Sequence, residues 1–95
     1  MFNGEVIILN IKLLMEELDL KKVGTVNIKM PGEPQLIFDI KSYTKKGLIN
    51  VVELCTGRYY NKRARRTSEI ISQGVRDISF VYPNGMEVKI LIYLK

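Results

Sequence analysis

Hydrophobic residues along the chain change their spacing at Gly24. Before it, Ile7, Ile11, Leu14 and Leu18 recur at i, i+4, i+7 and i+11, with Ile8 and Met15 alongside, the stripe of an amphipathic helix. This spacing predicts a helix between Glu5 and Lys22, with Asn3 as its cap and Gly24 as its stop. The β-branched opening Val6-Ile7-Ile8 also fits a strand leading into a shorter helix.

After Gly24 the period is two. Val26, Ile28 and Met30 alternate with Thr25, Asn27 and Lys29; Pro31-Gly32-Glu33-Pro34 makes a turn; then Leu36, Phe38 and Ile40 alternate with Ile37, Asp39 and Lys41. Thr44-Lys45-Lys46-Gly47 reads as a hairpin loop that pairs Thr44 with Leu48 and sets Phe38 opposite Leu54 and Asp39 opposite Glu53 on a third strand. Residues 67–73 read as a short helix, capped by Thr67 or Ser68 and ended by Gly74. In the last hairpin, Pro83-Asn84-Gly85 forms a loop that pairs Tyr82 with Met86 and Asp77 with Leu91. Ile78, Phe80 and Tyr82 then share a face with Met86, Val88, Ile90, Ile92 and Leu94. The expected class is α+β, in one domain spanning residues 1–95. It has two layers: an antiparallel sheet of about five strands in two or three hairpins, with the N-terminal helix and the short second helix on one face.

Composition narrows what such a domain can do. At 46% apolar and 26% charged, the chain reads as a folded globular protein rather than a disordered tail. It has no histidine, which removes the usual general base and the commonest metal ligand. The single cysteine, Cys55, excludes an internal disulfide and fits a reducing, cytoplasmic setting. The run from Val6 to Met15 is interrupted by Asn10 and Lys12 and is too short to span a bilayer, so no membrane partner is expected. No cofactor or metal requirement is visible.

Charge is distributed unevenly. The chain carries 15 Lys and Arg against 10 Asp and Glu, a net charge of +5. Five of those cations, Arg58, Lys62, Arg63, Arg65 and Arg66, lie within residues 58–66, so the remainder is balanced at 10 against 10. Arg76 is the only other arginine. The planar guanidinium fork suits paired contacts to phosphate, and Tyr59 and Tyr60 supply rings able to stack on bases. If a helix began at Lys62, cations would occupy its first turn, where the dipole disfavours them unless an anion is bound. The expected function is therefore nucleic-acid binding, DNA or RNA, through Arg58, Tyr59, Tyr60, Lys62, Arg63, Arg65, Arg66 and Arg76.

Two alternatives come from other classes. One is a small interaction or inhibitor protein of phage, virus or plasmid type that docks on an acidic partner surface as a homodimer. Twelve isoleucines and the apolar turn Val6-Ile7-Ile8-Leu9 favour it. The other is a metal-dependent nuclease: Asp39-Ile40-Lys41 matches a carboxylate-x-lysine element, and the predicted register sets Glu53 opposite Asp39 to share a cation. The similar element Glu87-Val88-Lys89 lacks a second acid, because Asp77 falls beside Leu91, about 13 Å along the strand.

Two family resemblances bear on the same segment. The order helix, three strands, basic helix start over residues 5–73 resembles the double-stranded RNA-binding domain, and Asn61-Lys62-Arg63-Ala64-Arg65-Arg66 occupies the place of its phosphate-binding helix start. Arg65-Arg66 followed by Asp77-Ile78-Ser79 is similar to a PilZ-type cyclic dinucleotide site, with Tyr82 standing where that pattern has glycine.

Overall fold

The computed structural model describes residues 8–95, and Ile8 and Leu9 by their backbone. Among the described residues six strands form one antiparallel sheet: β1 (Ile8–Leu9), β2 (Val23–Lys29), β3 (Leu36–Asp39), β4 (Ala64–Ser72), β5 (Val75–Val81) and β6 (Glu87–Leu94). Their order across the sheet is β1-β4-β5-β6-β2-β3, so the two-residue β1 is an edge addition to five longer strands. Helices α1 (Ile11–Glu17), α2 (Lys45–Thr56) and α3 (Arg58–Asn61) contact one another and cover one face. This is the two-layer α+β architecture expected from the residue pattern.

The covered face is built by the strands' inward positions. Register pairs share a face, and Val26–Ile92, Ile28–Ile90, Ile78–Ile90, Phe80–Val88 and Val26–Phe38 are all buried. Against them pack Ile11, Leu14, Met15 and Leu18 from the first helical segment and Leu48 and Val52 from α2. Each buried aliphatic side chain contributes roughly 1.5–3 kcal/mol of apolar transfer energy.

The last hairpin has the expected register, with Asp77 opposite Leu91, and the Tyr82 N–H bonds the Met86 carbonyl at 2.9 Å. The hairpin of β2 and β3 also forms as expected. Helix α1 starts later than its pattern suggests. Asn10 caps it, accepting from the Leu13 N–H at 2.9 Å, whereas the expected cap Asn3 and the opening Val6-Ile7 lie outside the described residues.

Two segments exchange their expected states. Residues 45–56 are helical, not a third strand. Thr44 is the N-cap, its hydroxyl accepting from Gly47 N–H, and the Thr44–Leu48 hydrogen bond is the helix's own first turn. The buried stripe is Leu48, Val52 and Thr56, while Leu54, expected to face Phe38, is 83% exposed. Residues 64–72 are a strand, not a helix, turning into β5 at Gln73-Gly74, both with positive φ of 51° and 79°. The expected double-stranded RNA-binding order therefore does not form, because its third strand is α2 and its basic helix is β4.

Candidate nucleic-acid interface

The basic segment runs from the end of α2 to the start of β4. Gly57 ends α2 with φ 54° and ψ −122°, a backbone conformation that side chains with a Cβ avoid, and its N–H bonds the Glu53 carbonyl. The turn drops Tyr59 and Tyr60 inward. Asn10 of the α1 cap donates to the Asn61 carbonyl at 3.2 Å, tying the segment to the first helix, and β1 pairs with Ala64 and Arg65.

Both tyrosines are core residues. Tyr59 and Tyr60 are buried, and the Tyr59 ring meets Tyr82 edge-on at 5.2 Å between centroids. The Tyr82 hydroxyl donates to the Tyr59 carbonyl at 2.9 Å, and burial, with Tyr59 beside it, pushes the Tyr82 phenol up to about 12. The Tyr60 phenol is also raised, by burial first and then by the charges of Glu53 and Glu16. Its hydroxyl has no hydrogen-bond partner among the described residues. Stacking of Tyr59 and Tyr60 on bases is thus corrected: amphipathic rings flanking a charge run are here the apolar anchor of that run.

The cations divide into three groups. Arg58 lies over its neighbour's ring, 5.2 Å from the Tyr59 centroid. Arg66 and Arg76 converge on Glu69: Arg66 Nη1 is 2.8 Å from one carboxylate oxygen and Arg76 Nη2 3.0 Å from the other. All three side chains are partly buried on the helix-side face of β4 and β5. These two arginines are engaged internally and leave the expected set. Lys62, Arg63 and Arg65 are exposed and have no ion pair among the described residues.

Strand geometry decides this division. Successive side chains on a strand point to opposite faces, so Arg65 and Arg66, adjacent in sequence, are separated by the sheet: Arg65 pairs with Val81 on the open face and Arg66 with buried Phe80. The Arg65-Arg66 pair of the PilZ-like pattern is split in the same way. Arg63 and Arg65 flank the buried Ala64 and border a cleft of about 600 Å³, whose other described walls are Val81, Tyr82, Pro83 and Gly85. No helix starts at Lys62: it is the C-cap of α3 and β4 begins at Ala64, so no helix N-terminus lies under these cations.

The nuclease constellation does not assemble. Asp39 pairs with Thr25 on the open face, Glu53 is exposed on α2 in the other layer, and Lys41 lies 3.9 Å from Asp39 at the surface. No group of three potential metal-binding acid or thiol side chains occurs among the described residues. No helix is long and apolar enough to cross a membrane among the described residues.

Sequence reasoning missed two further cations. Lys29 and Lys89 are exposed and directly opposite each other in the β2–β6 pairing. Both alternate with buried neighbours and read as the wet side of their hairpins. Compared with protein-family models, curated proteins and solved structures, the chain matches none.

Proposed function

We propose that this protein binds nucleic acid through phosphate contacts from Lys62, Arg63 and Arg65, with Arg58 at the margin, and without tyrosine stacking at Tyr59 or Tyr60. The observation that carries the reading is the arrangement of Arg63 and Arg65 around buried Ala64 at the mouth of one cleft, with Lys62 beside them and no acid paired to any of the three among the described residues. An unbalanced cationic cluster costs self-repulsion in the free protein, and a polyanion relieves it. Guanidinium groups on a cleft rim can each give two parallel bonds to a phosphate.

Three or four such contacts give modest, largely sequence-independent affinity, with log K falling against log salt by about 0.7–0.9 per contact. The test is anisotropy of labelled DNA and RNA across a salt series, with the variant Lys62→Gln/Arg63→Gln/Arg65→Gln alongside. Binding should be lost in the variant while its stability stays within about 0.5 kcal/mol, as expected for exposed positions. Retained binding refutes the reading. The rival, docking on an acidic protein, draws on the exposed Leu54 and Cys55, which with Arg58 line a groove of about 440 Å³ between α2 and the β2–β3 turn. It is favoured if nucleic acid fails to bind and an acidic polypeptide does.

A further inference from the structure

The face of the sheet opposite the helices is sorted into bands. Register pairing gives one row of Arg65, Val81 and Glu87, and a second of Ser68, Ser79, Lys89 and Lys29. The third row is Ile70, Asp77, Leu91, Asn27 and Ile37, with Tyr93 in the row beyond. Cations therefore collect at the end near the β5–β6 turn, where Arg63 joins Arg65, and Glu87 is the one acid on those two rows among the described residues. Three of the five residues in the adjoining row are apolar, Ile37 being 67% and Ile70 59% exposed, and Tyr93 in the row beyond is 37% exposed.

Within this pattern Lys29 and Lys89 stand out. Like charges directly opposite on neighbouring strands are destabilising, and neither lysine has an ion pair among the described residues. The Lys29 ammonium instead donates to the Glu33 carbonyl, which leaves its charge uncompensated. Sheet stability gives no reason for the pair; an anion lying across both would.

We infer that an extended single strand of nucleic acid crosses the open face at its basic end, with phosphates on Arg63 and Arg65 at β4 and on Lys89 and Lys29 at β6 and β2. From β4 to β2 is three inter-strand steps, about 14 Å. The boundary between the cationic rows and the row of Ile70, Leu91 and Ile37 matches a ligand with phosphates on one side and unpaired bases on the other. A duplex turns its bases inward and lays none on that apolar row, whereas a single strand can. This path rests on the nucleic-acid reading above and adds to it the ligand class and two further contact residues.

The experiment measures binding of a labelled oligothymidylate and of a duplex of equal length, in salt series, to the intact protein, to Lys29→Gln/Lys89→Gln and to Lys29→Arg/Lys89→Arg. The single strand should bind more tightly than the duplex. The glutamine variant should flatten the single-strand salt slope by about 1.4, two contacts at about 0.7 each, and weaken binding about tenfold, while the arginine variant should retain it. Because the lysines repel each other, the glutamine variant should melt no lower than the parent. Duplex preference, or an unchanged slope and affinity in the glutamine variant, overturns the path. If Lys62→Gln/Arg63→Gln/Arg65→Gln abolishes binding and the lysine variant does not, only the path fails; if the parent binds neither probe, the nucleic-acid reading fails with it.

Discussion

Removing a single hydroxyl from two tyrosines should have opposite outcomes, although both rings are buried and both phenols are raised. In Tyr82→Phe the lost group is the donor of a 2.9 Å bond to the Tyr59 carbonyl in the core. The carbonyl is left short of a partner, at a cost of about 1–2 kcal/mol, and the turn that carries the basic segment loses its hydrogen bond to the β5–β6 turn. In Tyr60→Phe the lost hydroxyl has no partner among the described residues, so its burial cost disappears with it. The variant should be neutral or more stable by up to about 1 kcal/mol. For a domain of 95 residues, 1 kcal/mol moves the melting temperature by roughly 4–8 °C, so thermal unfolding followed by circular dichroism separates the two variants easily. Alkaline pH gives a second readout. The unfolded phenol titrates near about 10 and the folded Tyr82 near about 12. Above the first value the unfolded chain releases a proton that the native state retains, so this contribution is complete below about pH 10 and is lost as pH rises toward about 12. Tyr82→Phe should flatten that loss. Equal destabilisation by both substitutions would refute the contrast between a hydroxyl that holds the core together at Tyr82 and one that only burdens it at Tyr60.

Three further outcomes follow from the same geometry. Gly57→Ala places a Cβ at φ 54° and ψ −122° and should cost about 1–3 kcal/mol in urea unfolding, although no atom lies within 4 Å of the added carbon. Gln73→Asn, at φ 51° in the turn before Gly74, should raise stability by a few tenths of a kcal/mol, because asparagine tolerates the left-handed region better. Glu69→Gln leaves Arg66 and Arg76 without their shared carboxylate. It should lower stability by about 1 kcal/mol while leaving binding to nucleic acid nearly unchanged, since both arginines lie on the helix-side face, across the sheet from Arg65. A complex weakened as far in that variant as in Lys62→Gln/Arg63→Gln/Arg65→Gln would count against the assignment of the interface to the open face.

How far the chain announces itself depends on which turns fix register. Pro83-Asn84-Gly85 allows one hairpin closure, so the pairing of residues 77–91 could be counted from the turn alone. Thr44-Lys45-Lys46-Gly47 allows two. The same threonine that could open a hairpin loop caps α2, and the β-branched run Ile49, Val51 and Val52 hides a helical stripe of Leu48, Val52 and Thr56. Thr67-Ser68-Glu69 is the converse case, a cap-like sequence that runs as a strand because Gln73-Gly74 folds it back onto β5. The two exchanges replace one strand by a helix and one helix by a strand, which is why the fold class survives them.

The site is less forgiving than the class. Charge content is a property of the sequence, but charge direction is a property of the element: on a helix Arg65 and Arg66 would sit about 100° apart around one exposed surface, whereas on β4 they lie on opposite faces and only Arg65 remains available. The reverse holds for Lys29 and Lys89, which are separated by most of the chain and become direct neighbours only through the β2–β6 pairing. A pairing between strands so distant in sequence is fixed by the whole core and by no local signal. The cationic surface is therefore part of a run that was visible and a pair that was not, and the physical test of whether it acts as one surface is whether the two parts contribute additively to a single salt slope.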